Sequence, residues 1–428
     1  MTRIQRSAAR LAAFGLILAP VLAHAQGNVS AAATAMGGNY TAVARNFNAV
    51  AWNPANLGLP GNSRFSLAFS FLPGVGTGPI TLKDLKEYDG VVVPESVRQA
   101  WLQRVTDNGG QNLSGDINLT PIALSIGALA FSTTTTIRAA GDVPVALAEV
   151  LLFGNAGRTG VPLDYTFADL ALDANVTTTF GLSYGESLPF VTFGDLAVGL
   201  TAKYTVGNVA MSMRDNGSAL TSNPLQILID APIVVTDTST WNNGSGLGLD
   251  VGASWQVGTL RASAVVHDLF SSFAWKTDDL YYMPVQATFG QEGGTSQLED
   301  ILPLSGASTA LQSELRSLLD ESKVTPTLAL GLAWTGFKRI TIAADLRQRF
   351  GDGLELGSKT EFGVGAELRL IPFIPLRAGV TSIGNGMRYS GGVGLEFGLV
   401  NMQAAAMVMA AEGRNDAGFG LTMSLGGR

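Results

Sequence analysis

The chain has 428 residues, of which 46% are hydrophobic and only 14% are charged, whereas roughly 25% of the residues of an ordinary soluble domain are charged. Its formal net charge of −7 argues against nucleic acid as a partner. The absence of cysteine and the presence of only two histidines argue against zinc, copper and haem sites, so we expect no cofactor.

The first 25 residues have the pattern of a secretory signal peptide. Three arginines precede the apolar run 11–22, and Ala23 and Ala25 occupy the small-residue positions that signal peptidase reads. We therefore expect export and cleavage before Gln26. After Gln26 the sequence has no run of about 18 apolar residues, which argues against a helical membrane protein.

From residue 64 onward, apolar and polar residues alternate in many short segments. In the stretch ITIAADLRQRF, Ile340 and Leu346 fall on one face, and Asp345 and Arg347 fall on the other. Alternation with a period of two predicts β-strands with two unlike faces. The low charge content argues against a soluble sandwich, so the apolar faces are expected to meet lipid in an outer-membrane β-barrel.

The length of the alternating region predicts the number of strands. Residues 63–428 give about 14 strands at about 26 residues for each strand with its connection, an even number as in bacterial barrels. The expected fold class is therefore all-β, a transmembrane antiparallel up-and-down barrel. Three insertions with helical patterns, near residues 94–105, 144–153 and 296–322, are expected in loops or inside the lumen.

The stretch GGNYTAVARNFNAVAWNPANL, residues 37–57, resembles the N-terminal signature of the FadL-like outer-membrane superfamily. That superfamily includes long-chain fatty acid transporters and the PorV-like proteins associated with type IX secretion. The match includes the turn Asn53-Pro54-Ala55, with Trp52 before it. Later segments, among them GLGLDVGASW and AADLRQRFGDGL, resemble an uncharacterised bacterial branch in the same order along the chain.

The resemblance implies a barrel of about fourteen strands with an N-terminal hatch, residues 26–62, inside the lumen. Small residues suit a confined helix, and Pro54 is expected to stop a helix over residues 42–51. Tyr40, Trp52, Asn53 and Pro54 are the predicted hatch residues. A mobile periplasmic leader with no plug role is the alternative.

Charged residues share the polar face of consecutive predicted strands in the last third of the chain. These nine residues are Asp345, Arg347, Arg349, Glu361, Glu367, Arg369, Arg377, Arg388 and Glu396. If the strands are neighbours, the charges form one mixed wall toward the lumen. We favour a structural ion-pair network over a polar lining near a solute path.

The pair His267-Asp268 is the one candidate for an acid/base dyad in the sequence. Neighbours on a strand point to opposite faces, so the two side chains are not expected to cooperate, and no enzyme is predicted.

Two functions remain open for the predicted barrel. The first is passive uptake of a hydrophobic or amphipathic small molecule past the hatch. The alternative is a non-transporting barrel that serves as a secretion or surface-assembly scaffold with protein partners, as in PorV-like relatives. Outer-membrane lipid is a partner in both.

Overall fold

The computed structural model describes residues 30–426, except 192, 291–292, 299–300, 308, 310–311, 314–315, 318, 320–322, 338, 352–357, 385 and 412–413. Fourteen long strands form the main sheet. They are β1 Phe65–Gly78, β2 Gln111–Ile126, β3 Leu129–Val143, β4 Ala171–Ser187, β5 Asp195–Arg214, β6 Gly244–Val257, β7 Leu260–Ser271, β8 Thr327–Phe337, β9 Ile340–Arg349, β10 Thr360–Ile371, β11 Ile374–Ile383, β12 Gly386–Phe397, β13 Val400–Ala411 and β14 Arg414–Leu425.

The fourteen strands close into an antiparallel barrel. Each strand pairs with the next one along the chain. Pairing of β14 with β1, for example Leu421 with Phe71, closes the ring. Every strand thereby has a hydrogen-bonded neighbour on both sides, and the sheet has no free edge, which is what a sheet in lipid requires. The predicted all-β up-and-down barrel of fourteen strands is confirmed.

Alternation along the strands separates the two faces of the wall. In β1, Phe65 and Phe69 are exposed on the outside, whereas Ser66 and Ser70 are buried toward the lumen. The same division holds in β9, where Leu346 is exposed and Asp345 is buried. The outside therefore carries the apolar band expected of a lipid-facing barrel.

The two ends of the barrel differ in the length of their connections. One end, here called the short-turn end, has two-residue turns such as 258–259 and 398–399; the other, the long-loop end, carries the connections 79–110, 144–170, 215–243 and 272–326. Helices in these loops are Leu82–Glu87, Glu95–Asp107 and Val145–Phe153, with 3-10 turns at Gly157–Thr159 and Leu304–Gly306. No helix in the described part of the chain is both long and apolar enough to cross a membrane.

Helical structure occurs at each predicted insertion, but the third differs from the prediction. Helices Glu95–Asp107 and Val145–Phe153 coincide with the first two insertions. The third insertion begins in strand Gly293–Leu298, and helical residues lie between 309 and 319. Several residues of that insertion lie outside the described part of the chain.

A second, smaller sheet and an apolar cluster cover the long-loop end. The smaller sheet contains Tyr165–Thr166, Ala219–Ser222, Leu225–Asp230, Val285–Gly290 and Gly293–Leu298. Short strands Ile233–Thr236, Ala274–Trp275, Leu280–Met283 and Leu302–Pro303 extend the barrel sheet. Phe273, Trp275, Leu280, Leu304 and Leu319 pack together in a buried cluster.

Residues 30–62, here called the hatch, are broken into short helical pieces. These are α-helices Ala31–Ala35 and Ala49–Trp52 and 3-10 helices Asn46–Asn48 and Pro54–Gly58. The predicted continuous helix over residues 42–51 is wrong, because Asn46 has a positive φ of 54°. The Asn46 side chain accepts a hydrogen bond from Ser63 N at 2.7 Å, which fixes the chain in this non-helical bend.

Candidate functional site

The hatch follows the inner wall, and wall glycines make room for its backbone. A Cβ atom added at Gly379 would lie 2.2 Å from the carbonyl carbon of Met36. On the opposite side, a Cβ atom at Gly199 would lie 2.4 Å from the carbonyl carbon of Pro54. Real Cβ atoms do not approach backbone so closely, so the wall is shaped to fit this segment.

Asp345 on β9 is the main polar anchor of the hatch. Its carboxylate accepts hydrogen bonds from Tyr40 N at 2.9 Å, Thr41 N at 2.8 Å and Thr41 Oγ1 at 2.6 Å. A second anchor joins Thr381 Oγ1 on β11 to the Gly37 carbonyl oxygen at 2.7 Å. These bonds satisfy hatch backbone groups that are buried away from water.

The four predicted hatch residues all lie inside the barrel. Trp52 is buried and packs edge-on against Tyr40, with 5.7 Å between ring centroids. The Arg347 guanidinium lies 4.3 Å from the centroid of the Trp52 ring, within cation–π range. Asn53 Nδ2 donates to Ala253 O at 3.1 Å, and Asn53 Oδ1 caps the 3-10 helix that Pro54 begins.

Two cavities lie on opposite sides of the Tyr40–Trp52 pair. The first has about 580 Å³ and opens among the turns of the short-turn end; Tyr40 lines it. The second has about 170 Å³ and lies at mid-barrel; Trp52 and Arg347 line it. Threonines and charged residues supply much of the remaining lining of the second cavity: Thr134, Thr136, Thr177, Thr179, Thr205, Arg138, Lys203 and Asp250.

Eight of the nine predicted lumen charges fall into two groups of ion pairs rather than one wall. At the short-turn end, Arg369 lies 2.5 Å from Glu367 and 2.7 Å from Glu396, and Arg377 lies 2.7 Å from Glu367. The hatch divides the network, because Met36 lies against glycines of β10 and β11 between the two levels.

The second group of charges lies nearer mid-barrel. Arg388 lies 3.0 Å from Glu361, and Arg347 lies 3.8 Å from Glu361 and 3.9 Å from Asp345. Arg349 is buried at the long-loop end of β9, opposite Thr327 of β8.

Replacing Arg369 with alanine is expected to destabilise the barrel by about 2 kcal/mol. The change removes one ion-pair partner from each of Glu367 and Glu396. Removing one partner of a fully buried pair costs about 3–5 kcal/mol, and the expected loss is smaller here because Arg369 is partly exposed. Leu346→Val, on the lipid-facing side of β9, is the control and should cost under about 1 kcal/mol. Urea unfolding in lipid vesicles measures both; equal losses would contradict the ion-pair argument.

Sequence reasoning missed a buried charge cluster at mid-barrel. Lys203 Nζ lies 2.7 Å from carboxylates of both Asp250 and Asp268, and His267 Nδ1 lies 3.0 Å from Asp250. The expectation that His267 and Asp268 point to opposite faces was wrong. A bulge between β6 and β7 and the positive φ of 49° at Asp268 turn both residues toward the lumen.

The barrel resembles solved structures of FadL-like outer-membrane proteins. A Pseudomonas aeruginosa FadL homologue matches with a TM-score of 0.50 and 11% identity, over 96% of this chain and 100% of that chain. The toluene transporter TbuX from Ralstonia pickettii matches with a TM-score of 0.48 and 14% identity, over 94% and 99% of the two chains. The toluene transporter TodX from P. putida matches with a TM-score of 0.48 and 12% identity, over 94% and 98%.

At sequence identities this low, the structural similarity shows a shared fold and nothing more. This shared fold agrees with the FadL-like resemblance of the sequence. No curated protein matches the chain. The model of a family of unknown function, DUF5723, matches residues 54–408. Because this match covers most of the barrel and the end of the hatch, the chain belongs to that family.

Proposed function

We propose that the protein is an outer-membrane barrel through which a hydrophobic or amphipathic small molecule passes inward, past the hatch. The observation that carries the proposal is the pair of cavities on either side of the Tyr40–Trp52 contact. A barrel that served only as a rigid support would be more stable with a lumen filled by side chains. This lumen instead contains two cavities, and the Tyr40–Trp52 pair lies between them.

The chemistry of the cavities favours an amphipathic solute. Threonine hydroxyls and charged groups line the mid-barrel cavity. A solute that enters displaces water from these groups, so it needs polar groups of its own to hydrogen-bond with them. In bacterial barrels the long loops face outward and the short turns face the periplasm. The proposed path therefore runs from the mid-barrel cavity, past Trp52 and Tyr40, to the larger cavity at the short-turn end.

Export belongs to the same proposal. The signal peptide, residues 1–25, lies outside the described residues, and its cleavage before Gln26 is proposed from the sequence. The mature chain would then insert into the outer membrane through the apolar band on the outside of the strands.

A scaffold for secretion or surface assembly is the second candidate, because the long-loop end exposes large apolar side chains. Val92 is 92% exposed and Leu151 is 73% exposed, and Trp241 lies exposed in another long loop. Exposed apolar residues of this kind can bind a protein partner. In that case the cavities would have no solute to carry.

Deleting residues 30–58 is expected to raise ion conductance in planar bilayers while the barrel still inserts. The deletion removes the whole partition between the two cavities, and the hydrogen bonds between strands do not depend on it. Uptake of a labelled fatty acid into vesicles should be saturable in the wild type and become unselective in the deletion.

A paired change, Val91→Ser with Val92→Ser, is the control for the second candidate, because both valines lie exposed in the long loop 79–110. It leaves the lumen unchanged, so uptake should stay at the wild-type level. Conductance that does not rise after the deletion would rule out the hatch as a plug. Absence of solute uptake in both the wild type and the deletion would favour the scaffold.

A further inference from the structure

Two arginines at the short-turn end share one neutral acceptor. Arg45 of the hatch donates from Nη2 to Gln256 Oε1 at 3.2 Å, and Arg261 of β7 donates from Nε to the same oxygen at 2.9 Å. Since both nitrogens contact one atom, they lie no more than about 6 Å apart. Arg261 also donates to the Ala42 carbonyl oxygen at 3.2 Å.

Neither arginine is neutralised by a carboxylate within the described part of the chain. Both line the cavity of about 580 Å³, together with Arg369, Arg377, Glu367 and Glu396. The two glutamates are already bound by Arg369 and Arg377, so the charges of Arg45 and Arg261 remain as an excess of +2.

Further contacts around the arginine pair do not remove this excess. Asp195, opposite Gln256 on β5, is exposed and forms no ion pair with Arg45 or Arg261 among the described residues. Arg45 Nη1 is buried, and it has no hydrogen-bond acceptor in the same part of the chain.

Such an arrangement is costly unless an anion completes it. Two guanidinium groups close together repel each other, and a buried donor without an acceptor loses its hydration. The planar fork of donors on each guanidinium matches the oxygens of a phosphate or carboxylate. A neutral amide such as Gln256 positions both groups but cannot balance their charge.

We infer that Arg45 and Arg261 form a binding site for one oxyanion, a phosphate or carboxylate group, in the cavity at the short-turn end. The anion bridges the hatch, which carries Arg45, to the barrel wall, which carries Arg261. The site goes beyond the proposed uptake function and does not depend on it. Free phosphate and the head group of an anionic lipid share the required chemistry.

Calorimetric titration of the full-length protein in a non-ionic detergent tests the site with inorganic phosphate, at constant ionic strength with chloride as the reference ion. The wild type should bind phosphate, and Arg45→Gln and Arg261→Gln should each bind at least about tenfold more weakly, as expected for the loss of a charge-assisted hydrogen bond. Arg339→Gln is the matched control. Arg339 is exposed in a turn at the same end, so its loss should leave binding unchanged.

A second variant keeps the test decisive if the arginine variants fold poorly. Gln256→Glu has nearly the same shape and supplies an internal carboxylate to both guanidiniums. It should raise the temperature at which the folded band is lost on gels and abolish phosphate binding. A rise in stability with undiminished phosphate binding would overturn the assignment.

Nanodiscs distinguish the two sources of the anion. If a lipid head group occupies the site, native mass spectrometry should show retention of phosphatidylglycerol over phosphatidylcholine in the wild type, and Gln256→Glu should lose that preference. If only free phosphate fits, the titration succeeds and no lipid preference appears. Failure of the wild type to bind either phosphate or the anionic lipid would refute the proposal.

Discussion

Asp345→Ala is expected to release the hatch from the wall and to lower the free energy of unfolding by about 3–5 kcal/mol, the range for removing one partner of a buried charged pair. Its buried carboxylate accepts three hydrogen bonds from Tyr40 and Thr41 and lies 3.9 Å from Arg347. Alanine leaves two backbone N–H groups without acceptors, and each of them costs free energy while it stays buried. Urea unfolding in vesicles and conductance in planar bilayers measure the two effects.

Two further variants separate the role of Asp345 from a general loss of charge. Asp345→Asn keeps an acceptor of the same shape and should lose less stability than the alanine variant. Asp164→Ala removes an exposed carboxylate at the long-loop end, where it binds Ser222, and should leave conductance unchanged. Wild-type conductance together with wild-type stability in Asp345→Ala would show that the hatch is held elsewhere.

Gly379→Ala and Gly199→Ala are expected to push the hatch off the wall, each at a cost of about 1–3 kcal/mol, the range for overpacking. The new methyl groups would meet backbone atoms of Met36 and Pro54 at 2.2 and 2.4 Å, and backbone cannot rotate away as a side chain can. Because the two sites lie on opposite parts of the wall, their costs should add in the double variant.

Gly141→Ala on β3 is the matched control for the glycine variants. A Cβ atom there would lie 3.5 Å from its nearest neighbours, an ordinary contact. Its unfolding midpoint in urea should match the wild type, whereas those of the other two variants should fall. Equal midpoints for all three would mean that the wall yields easily and that the glycines do not shape it around the hatch.

The sequence by itself determined the barrel. Strand alternation is a local property, because successive side chains point to opposite faces whatever the partner strand is. The low charge content and the apolar faces then indicated lipid outside, and the length indicated fourteen strands. The sequence also identified the charges at positions 345, 361 and 369 as lumen-facing, because they lie on the polar side of that alternation.

Only the tertiary structure decided how the lumen is organised, because its contacts join residues far apart in the chain. Asn46 leaves the helical conformation because it bonds to Ser63 where the hatch meets β1. The bulge at Asp268 arises where β6 pairs with β7. The bulge turns Asp268 to the same side of the wall as His267, whereas simple alternation would put the two residues on opposite sides. The meeting of Arg45 and Arg261 at Gln256 likewise requires the hatch to be folded against strands some 200 residues later, and no local pattern encodes that contact.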